Sequence, residues 1–273
     1  MSNGLAFAAL APTEPKNGAP PSYRVLGVRV NAVQITDAVR IMRGWVDDRG
    51  PCRYVVVTGM HGITLAQHDA GYRRVLNEAD MCVADGWPVM MLGRLSGFPM
   101  ARRVYGPELM LAFIEQTAAL GYRHFLYGGP PGVAEELGRR LSDRVPGFRA
   151  VGAYSPPFGP VAPREDPAVL DLIRAARPDV LWVGIGTPKQ ECWMHRRRAD
   201  LDVPLLVGVG AAFDFHAGRV RQAPRWMREH GFEWLYRLAV EPRRLWRRYL
   251  VNGGEFAIRV LTEIFTGGFK RGP

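Results

Sequence analysis

Short runs rich in Val, Leu and Ile recur along this chain, and the intervals between them carry helix-period patterns; no other feature constrains the fold as much. Strands are predicted at Tyr23–Val30, Arg53–Thr58, Met81–Ala84, Arg123–Tyr127, Phe148–Ala153, Asp179–Gly184 and Pro204–Gly208. Helices are predicted between them at Asp37–Val46, Gly71–Glu78, Pro107–Leu120, Val133–Val145, Pro167–Ala176 and Lys189–Ala199. Several strands are apolar at successive positions, as strands covered on both faces must be. The alternation predicts an α/β fold, a Rossmann-like, mostly parallel sheet with helices on both faces. In such sheets ligands sit at the carboxyl ends of the strands, so the polar residues there are the candidates for chemistry.

The chain divides into three regions. Residues 1–21, rich in Ala, Pro, Gly and Asn, read as a disordered leader; 22–218 read as the Rossmann-like domain; 219–273 read as a basic, aromatic-rich helical appendage. The net charge of +10 calls for an anionic partner: nucleic acid, an anionic membrane surface or a phosphorylated substrate. Between Arg219 and Leu250 lie nine arginines against three glutamates, so the surplus is concentrated at one end. Pro242 is expected to divide this stretch into two helices. In the second, Leu245, Trp246, Tyr249 and Leu250 share one face and Arg243, Arg244, Arg247 and Arg248 the other, the pattern of a helix lying in a membrane interface. A docked terminal helix with solvated arginines fits the same pattern. Arg219, Arg221 and Arg225 complete the set expected to meet lipid phosphates or a diphosphate. The three cysteines are an odd, sparse set with no CxxC pair, which suggests neither a disulfide framework nor a zinc site and fits a reducing, cytoplasmic setting. No run of eighteen apolar residues occurs.

Five strand ends carry the candidate site. Thr58 is followed by Gly59, Met60 and His61. Asp85 follows Met81–Ala84, where a carboxylate can act as a general base or cap the next helix; spacing alone favours the cap. Gly128 and Gly129 open a Gly/Pro turn whose N–H groups can approach phosphate. In Gly186–Thr187–Pro188–Lys189–Gln190–Glu191, Thr187 reads as an N-cap and Gln190 as its capping-box partner, a ligand contact, or both. Asp214 follows the last strand. Asp200–Leu201–Asp202 has the form of a metal-binding DxD pair, but it precedes a strand, at the end away from the cleft. No histidine has metal-site spacing, so no metal is expected and arginine must balance a leaving diphosphate, with Arg102, Arg103 and the C-terminal cluster as candidates. A nicotinamide enzyme is disfavoured by the absence of GxGxxG, and a nucleic-acid module by the absence of any recognition motif beside the basic tail.

Taken in order, VVVTGMHG (55–62), VADGWPVM (83–90), RRVYGPELM (102–110), FLYGGPPGVAEEL (125–137), VGIGTPKQE (183–191), VGVGAAFDFHAG (207–218) and the 223–250 stretch resemble the WecG/TagA/CpsF bacterial glycosyltransferases, glycosyltransferase family 26. The resemblance implies an inverting, metal-independent enzyme with a UDP-sugar as co-substrate and no cofactor. It implies a hexose or N-acetylhexosamine, typically N-acetylmannosamine, passed to an undecaprenyl-diphosphate-linked sugar on the cytoplasmic face of the plasma membrane. The products feed cell-surface polysaccharide, teichoic acid or exopolysaccharide. Position by position it makes Asp85 the base, puts Thr58 near the acceptor, Arg103 before the Gly-x-x-Leu segment, and Gln190 in the PKQE motif. It departs at Met60, where the family commonly has asparagine, so a glucose-type hexose donor is the alternative. A non-catalytic nucleotide-sugar or nucleic-acid binder is the reading from another class; no nucleic-acid partner is expected. The sequence leaves monomer and homo-oligomer both open.

Overall fold

The computed structural model describes residues 20–156 and 167–269 of the chain. The expected leader lies, but for its last two residues, outside them. Eight strands form one sheet: β1 (Ser22–Val25), β2 (Val28–Asn31), β3 (Arg53–Thr58), β4 (Met81–Ala84), β5 (Arg123–Gly128), β6 (Arg149–Tyr154), β7 (Val180–Gly184) and β8 (Leu205–Gly208). The spatial order is β1-β2-β4-β3-β8-β7-β5-β6, with β1–β2 antiparallel and every other pair parallel. The fold is therefore the α/β, mostly parallel sheet expected from the alternation.

Helices α1 (Ile35–Asp48), α2 (Met60–His68), α3 (Ala70–Asn77), α4 (Trp87–Leu95), α5 (Gly106–Thr117), α6 (Val133–Arg144), α7 (Pro167–Ala176), α8 (Lys189–Arg197) and α9 (Ala212–His216) connect the strands or come after the last. Alternate strand residues feed two cores. Tyr54, Val56, Cys82, Tyr127, Leu181 and Leu206 pack under Ile63 of α2, Leu76 of α3 and Trp193 of α8. Val55, Met81, Leu126, Trp182 and Val207 pack under Met42 of α1, Phe113 of α5 and Phe213 of α9. The period of two that makes a strand thus serves both faces at once.

The appendage comprises α10 (Arg225–Glu229), α11 (Glu233–Val240), α12 (Pro242–Trp246), a π-helical turn at Arg247–Val251, and α13 (Asn252–Phe265). It folds back over the sheet domain. In α13, Phe256 and Val260 are buried in the first core. Glu263 accepts from Leu26 N, and Glu255 contacts His68 at 2.7 Å, so the last helix is fastened to the hairpin and to α2.

Several expectations are corrected. The strand expected at Tyr23–Val30 is a hairpin, because Leu26 and Gly27 both adopt positive φ (50° and 77°) and reverse the chain in two residues. The residues after Thr58, for which no helix was expected, form one: Gly59 caps α2 and Met60–Gly62 lie in its first turn. Gly62 is required there: a Cβ at this position would lie 2.4 Å from Thr58 Oγ1. Thr187 is not the cap of α8; Pro188 holds that position, after a cis Thr187–Pro188 peptide. Pro242 does begin a new helix, but the amphipathic face expected beyond it is not kept. Leu245 is buried within the protein, and the π turn, with its extra residue per turn, rotates the chain so that Arg247 is exposed while Arg248 is half-buried.

Candidate active site

Five adjacent strands, β4-β3-β8-β7-β5, end on one side of the sheet, and the segments that leave them approach one another: a Cβ on Gly59 would stand 3.5 Å from Gly86 N, and one on Gly62 3.7 Å from Thr187 Cγ2. Asp85 leaves β4. Its N–H donates to Thr58 O at 2.8 Å, tying the ends of β4 and β3 together. Its carboxylate does cap a helix, though not the next one in the chain: Gly86 is the N-cap of α4, and Asp85 Oδ1 accepts from Gly106 N, at the start of α5, at 3.1 Å. Oδ2 accepts no hydrogen bond among the described residues, and the residue is half-buried. Burial raises the carboxyl pKa above its ordinary value, Glu233 adds to this, and Arg103, the Gly106 amide and Arg248 oppose it. The result is a carboxylate with one oxygen fixed and one available, more basic than a solvated aspartate.

Arg103 is held on three sides. Nη1 donates to Asp85 O at 2.8 Å, Nη2 pairs with Glu233 Oε2, and the guanidinium lies 4.3 Å from the centre of the Tyr105 ring. Tyr105 Oη donates to the other Glu233 oxygen at 2.8 Å. Glu233 thus brings α11 of the appendage against the cleft. Arg237, one turn on, lies over the Phe215 ring at 5.5 Å with its Nε buried and without a hydrogen-bond partner. Arg248 sits close enough to act electrostatically on Asp85, His61 and Glu191 together. Tyr105, Glu233 and Asn252 were not singled out from sequence, and Arg237 entered only as one of the C-terminal arginine cluster. The one signal available was a lone acid in the apolar run Glu233–Trp234–Leu235–Tyr236, which must find a cation if it turns inward.

On the β3 side, Thr58 is buried at the strand end and His61 is half-buried in the first turn of α2. Asn252 Nδ2 lies 2.7 Å from His61 Nδ1, and burial, then Arg248, lower the imidazole pKa to about 4. His61 is therefore neutral near pH 7, with Nδ1 accepting and Nε2 carrying the proton. Met60 packs its thioether against Gly253, 3.6 Å from where a Cβ would stand.

On the other side, Gly129 N donates to Gly184 O at 3.0 Å, joining the turns after β5 and β7. Gly128 has φ 142°, and a Cβ on it would lie 2.5 Å from Gly184 C, so no other residue fits. Gly186, at φ 86°, faces open space. Thr187 bridges the two sides: its Cγ2 lies 3.7 Å from the Cβ position of Gly62. Gln190 is buried beside Gly208 and Gly210 and donates to Glu191 Oε1 at 3.0 Å. Glu191, in the same segment expected to meet the substrate, lies beside Gln190, and its Oε2 is buried with no hydrogen-bond partner among the described residues. It is fully buried, accepts from Thr187 and Gln190, and burial raises its pKa, with those two bonds opposing. Asp214 is half-buried in α9, next to the end of β8.

The basic set divides. Arg219, Arg221, Arg225, Arg243 and Arg247 are exposed, Arg248 turns toward the cleft, and the side chain of Arg244 lies outside the described residues. Among the described residues no three His, Cys, Asp or Glu side chains group as metal ligands. A groove of about 910 Å3 between α5, α6 and the segment after α9 includes neither Asp85 nor Arg103.

The family model for the glycosyl transferase WecG/TagA/CpsF family matches residues 23–269, which takes in both the sheet and the appendage. The chain belongs to this family. Its relatives include an N-acetylglucosaminyldiphosphoundecaprenol N-acetyl-beta-D-mannosaminyltransferase of Bacillus spizizenii, 33% identical over 68% of this chain and 70% of the relative. Proteins with the same name from Bacillus subtilis and Staphylococcus aureus are 30% and 28% identical, each over 71% of this chain and over 73% and 74% of their own lengths. No helix among the described residues is long and apolar enough to cross a membrane.

Proposed function

We propose that this chain is an inverting glycosyltransferase. It moves a hexose or N-acetylhexosamine, N-acetylmannosamine in type, from a UDP-sugar to an undecaprenyl-diphosphate-linked sugar, with no metal in the chemical step. The single observation that carries the reading is Asp85: one carboxylate oxygen is fixed by α5 and the other is available at the crevice where five strands end. The relatives' names supply the acceptor and sugar class.

In this reading the diphosphate of the donor lies across the glycine turns at Gly128–Gly129 and Gly186, with Gln190 and Asp214 beside it. Asp85 Oδ2 takes the proton of the acceptor hydroxyl. That oxygen forms its bond to the anomeric carbon as the bond from that carbon to the UDP oxygen breaks, and UDP departs with the electron pair. Arg237 and Arg248 offset the charge that develops, while Arg103 keeps Asp85 in place. His61 offers Nε2–H to a sugar oxygen. The neighbourhood of Met60 supports a second reading within the same class: that side chain is occupied with Gly253 rather than offering an amide, which suits a plain glucose-type hexose. Exposed Trp226, Trp246, Leu250, Ile258 and Phe265 on the appendage, next to exposed Arg243 and Arg247, support seating at an anionic membrane surface.

The test is a panel of UDP-sugars with a short-chain prenyl-diphosphate-linked sugar, read by mass spectrometry with and without EDTA. One UDP-sugar should give a single product that EDTA does not suppress. Absence of product from every donor, or loss of product with EDTA, would overturn the reading.

A further inference from the structure

Beside Arg103, on the side of α4, lies a second hollow of about 380 Å3 between α4 and α10. Its walls carry Arg94, Arg102, Arg225 and Arg228, and two carboxylates, Glu108 and Glu229. Each carboxylate is shared: Glu229 contacts Arg102 and Arg225, and Glu108 contacts Arg228 and, at 3.7 Å, Arg102. Arg94 donates to the carbonyls of Met100 and Ala101 and to Met91 Sδ, none of which brings negative charge. Arg103, which also borders the hollow, is matched by Glu233 and stands outside this balance. Four arginines against two glutamates leave a surplus of two positive charges. In addition, Nε of Arg228 is buried with no acceptor. Arg102 and Arg225 are largely exposed, so it is the buried Arg228 donor without a partner that calls for an acceptor here, and the local surplus of positive charge favours an anionic one.

The rim is aromatic. Trp87 borders the hollow and is exposed, and Gly231 packs against its ring. Trp226 and Phe232 stand nearby, both exposed, with ring centres 6.4 Å apart. The ligand that fits is a doubly charged diphosphate diester attached to an apolar chain.

We infer that this hollow holds the diphosphate of the lipid-linked acceptor, with the first isoprene units over Trp87, Trp226 and Phe232. The assignment rests on the glycosyltransferase reading above. In the proposed function the donor diphosphate has a different place. Its turns come after β7 and β5, whereas α4 comes after β4, and β7 stands three strands from β4. At roughly 4.8 Å per strand the ends of β4 and β7 are about 14 Å apart.

The experiment is calorimetric titration of the full chain with a short-chain prenyl-diphosphate-linked sugar, with the same sugar as an alkyl glycoside, and with UDP. The double variant Arg102→Ala, Arg225→Ala should weaken binding of the diphosphate ligand about tenfold or more. It should leave UDP and the alkyl glycoside unchanged. Glu229→Gln, which removes a competing carboxylate, should tighten the diphosphate ligand, a gain that misfolding cannot produce. The inference is overturned if the wild type does not bind the prenyl diphosphate, if the double variant binds it equally well, if UDP affinity falls in parallel, or if Glu229→Gln weakens it. Because the titration involves no turnover, a protein that binds as expected but transfers no sugar would sink the proposed function and leave this pocket standing.

Discussion

One carboxylate oxygen of Asp85 accepts from Gly106 N and the other accepts no hydrogen bond among the described residues, so two substitutions separate two roles. Asp85→Asn keeps an acceptor for Gly106. It should lower kcat by about 10²- to 10⁴-fold, the usual worth of a general base, with UDP affinity and Tm nearly unchanged. Asp85→Ala also removes the cap and should cost a further ~1 kcal/mol in stability. Steady-state kinetics beside thermal unfolding would show this, and an active Asn variant would remove Asp85 from the mechanism. A second residue-scale prediction concerns His124, which is fully buried, accepts from Trp182 Nε1 at 3.1 Å, and has its pKa lowered to about 4 by burial, against the pull of Asp179. The unfolded chain binds this proton near pH 6.5 and the native one only near 4. Stability from this group is therefore complete above pH 6.5 and is lost as pH falls toward 4. His124→Leu should be less stable than wild type at pH 7, and the gap should narrow on acidification through that window. A gap constant from pH 7 to 4 would contradict a neutral native imidazole.

At the scale of elements, the contact of α11 with the sheet domain depends on one buried triad. Arg103 and Glu233 have side chains only 14% and 9% exposed, and Tyr105 completes the set. Glu233→Ala leaves a buried guanidinium and a buried phenol unpaired, which should cost about 3–5 kcal/mol. Glu233→Gln keeps an acceptor for Tyr105 and should cost less. Denaturant unfolding of the two variants measures the difference; equal midpoints would show that the triad does not hold the appendage. α13 is fastened differently, through Asn252 on His61, Thr64 Oγ1 on Asn252 O at 3.2 Å, and Gly253 against Met60. The hairpin β1–β2 and the helix α2 were both missed in the sequence for a common reason. Each turns on a backbone reversal or cap made without the usual residues, Leu26–Gly27 in place of Asn–Gly and Gly59 in place of Ser or Asp.

At the scale of the whole molecule, the appendage is both a wall of the cleft and the proposed membrane face, and deleting it would confuse the two. Trp246→Ser, Leu250→Ser and Ile258→Ser together change only exposed positions. They should weaken co-sedimentation with anionic liposomes, leave Tm within a few degrees, and leave transfer to a water-soluble acceptor intact. Raised salt should weaken wild-type sedimentation as well, since exposed charges are screened over about 10 Å at 0.1 M. Sedimentation unaffected by both would refute the membrane face.

The alternation of apolar runs with helical patterns determined the layered α/β sheet on its own, because period and propensity are local and each strand reports its own two-sided burial. Local motifs likewise marked Asp85 and the glycine turns at the strand ends. Only the tertiary structure decided the contacts across great sequence separation: Glu233 on Arg103, 130 residues apart, Asn252 on His61, 191 apart, and the inward turn of Arg248. Glu191 stands next to Gln190 in one motif, and only the fold shows it fully buried and accepting from both Thr187 and Gln190. A helix face read at 3.6 residues per turn could not anticipate the π turn at Arg247–Val251, since the packing of α13 on α2, and not local preference, sets which side of that turn meets the protein.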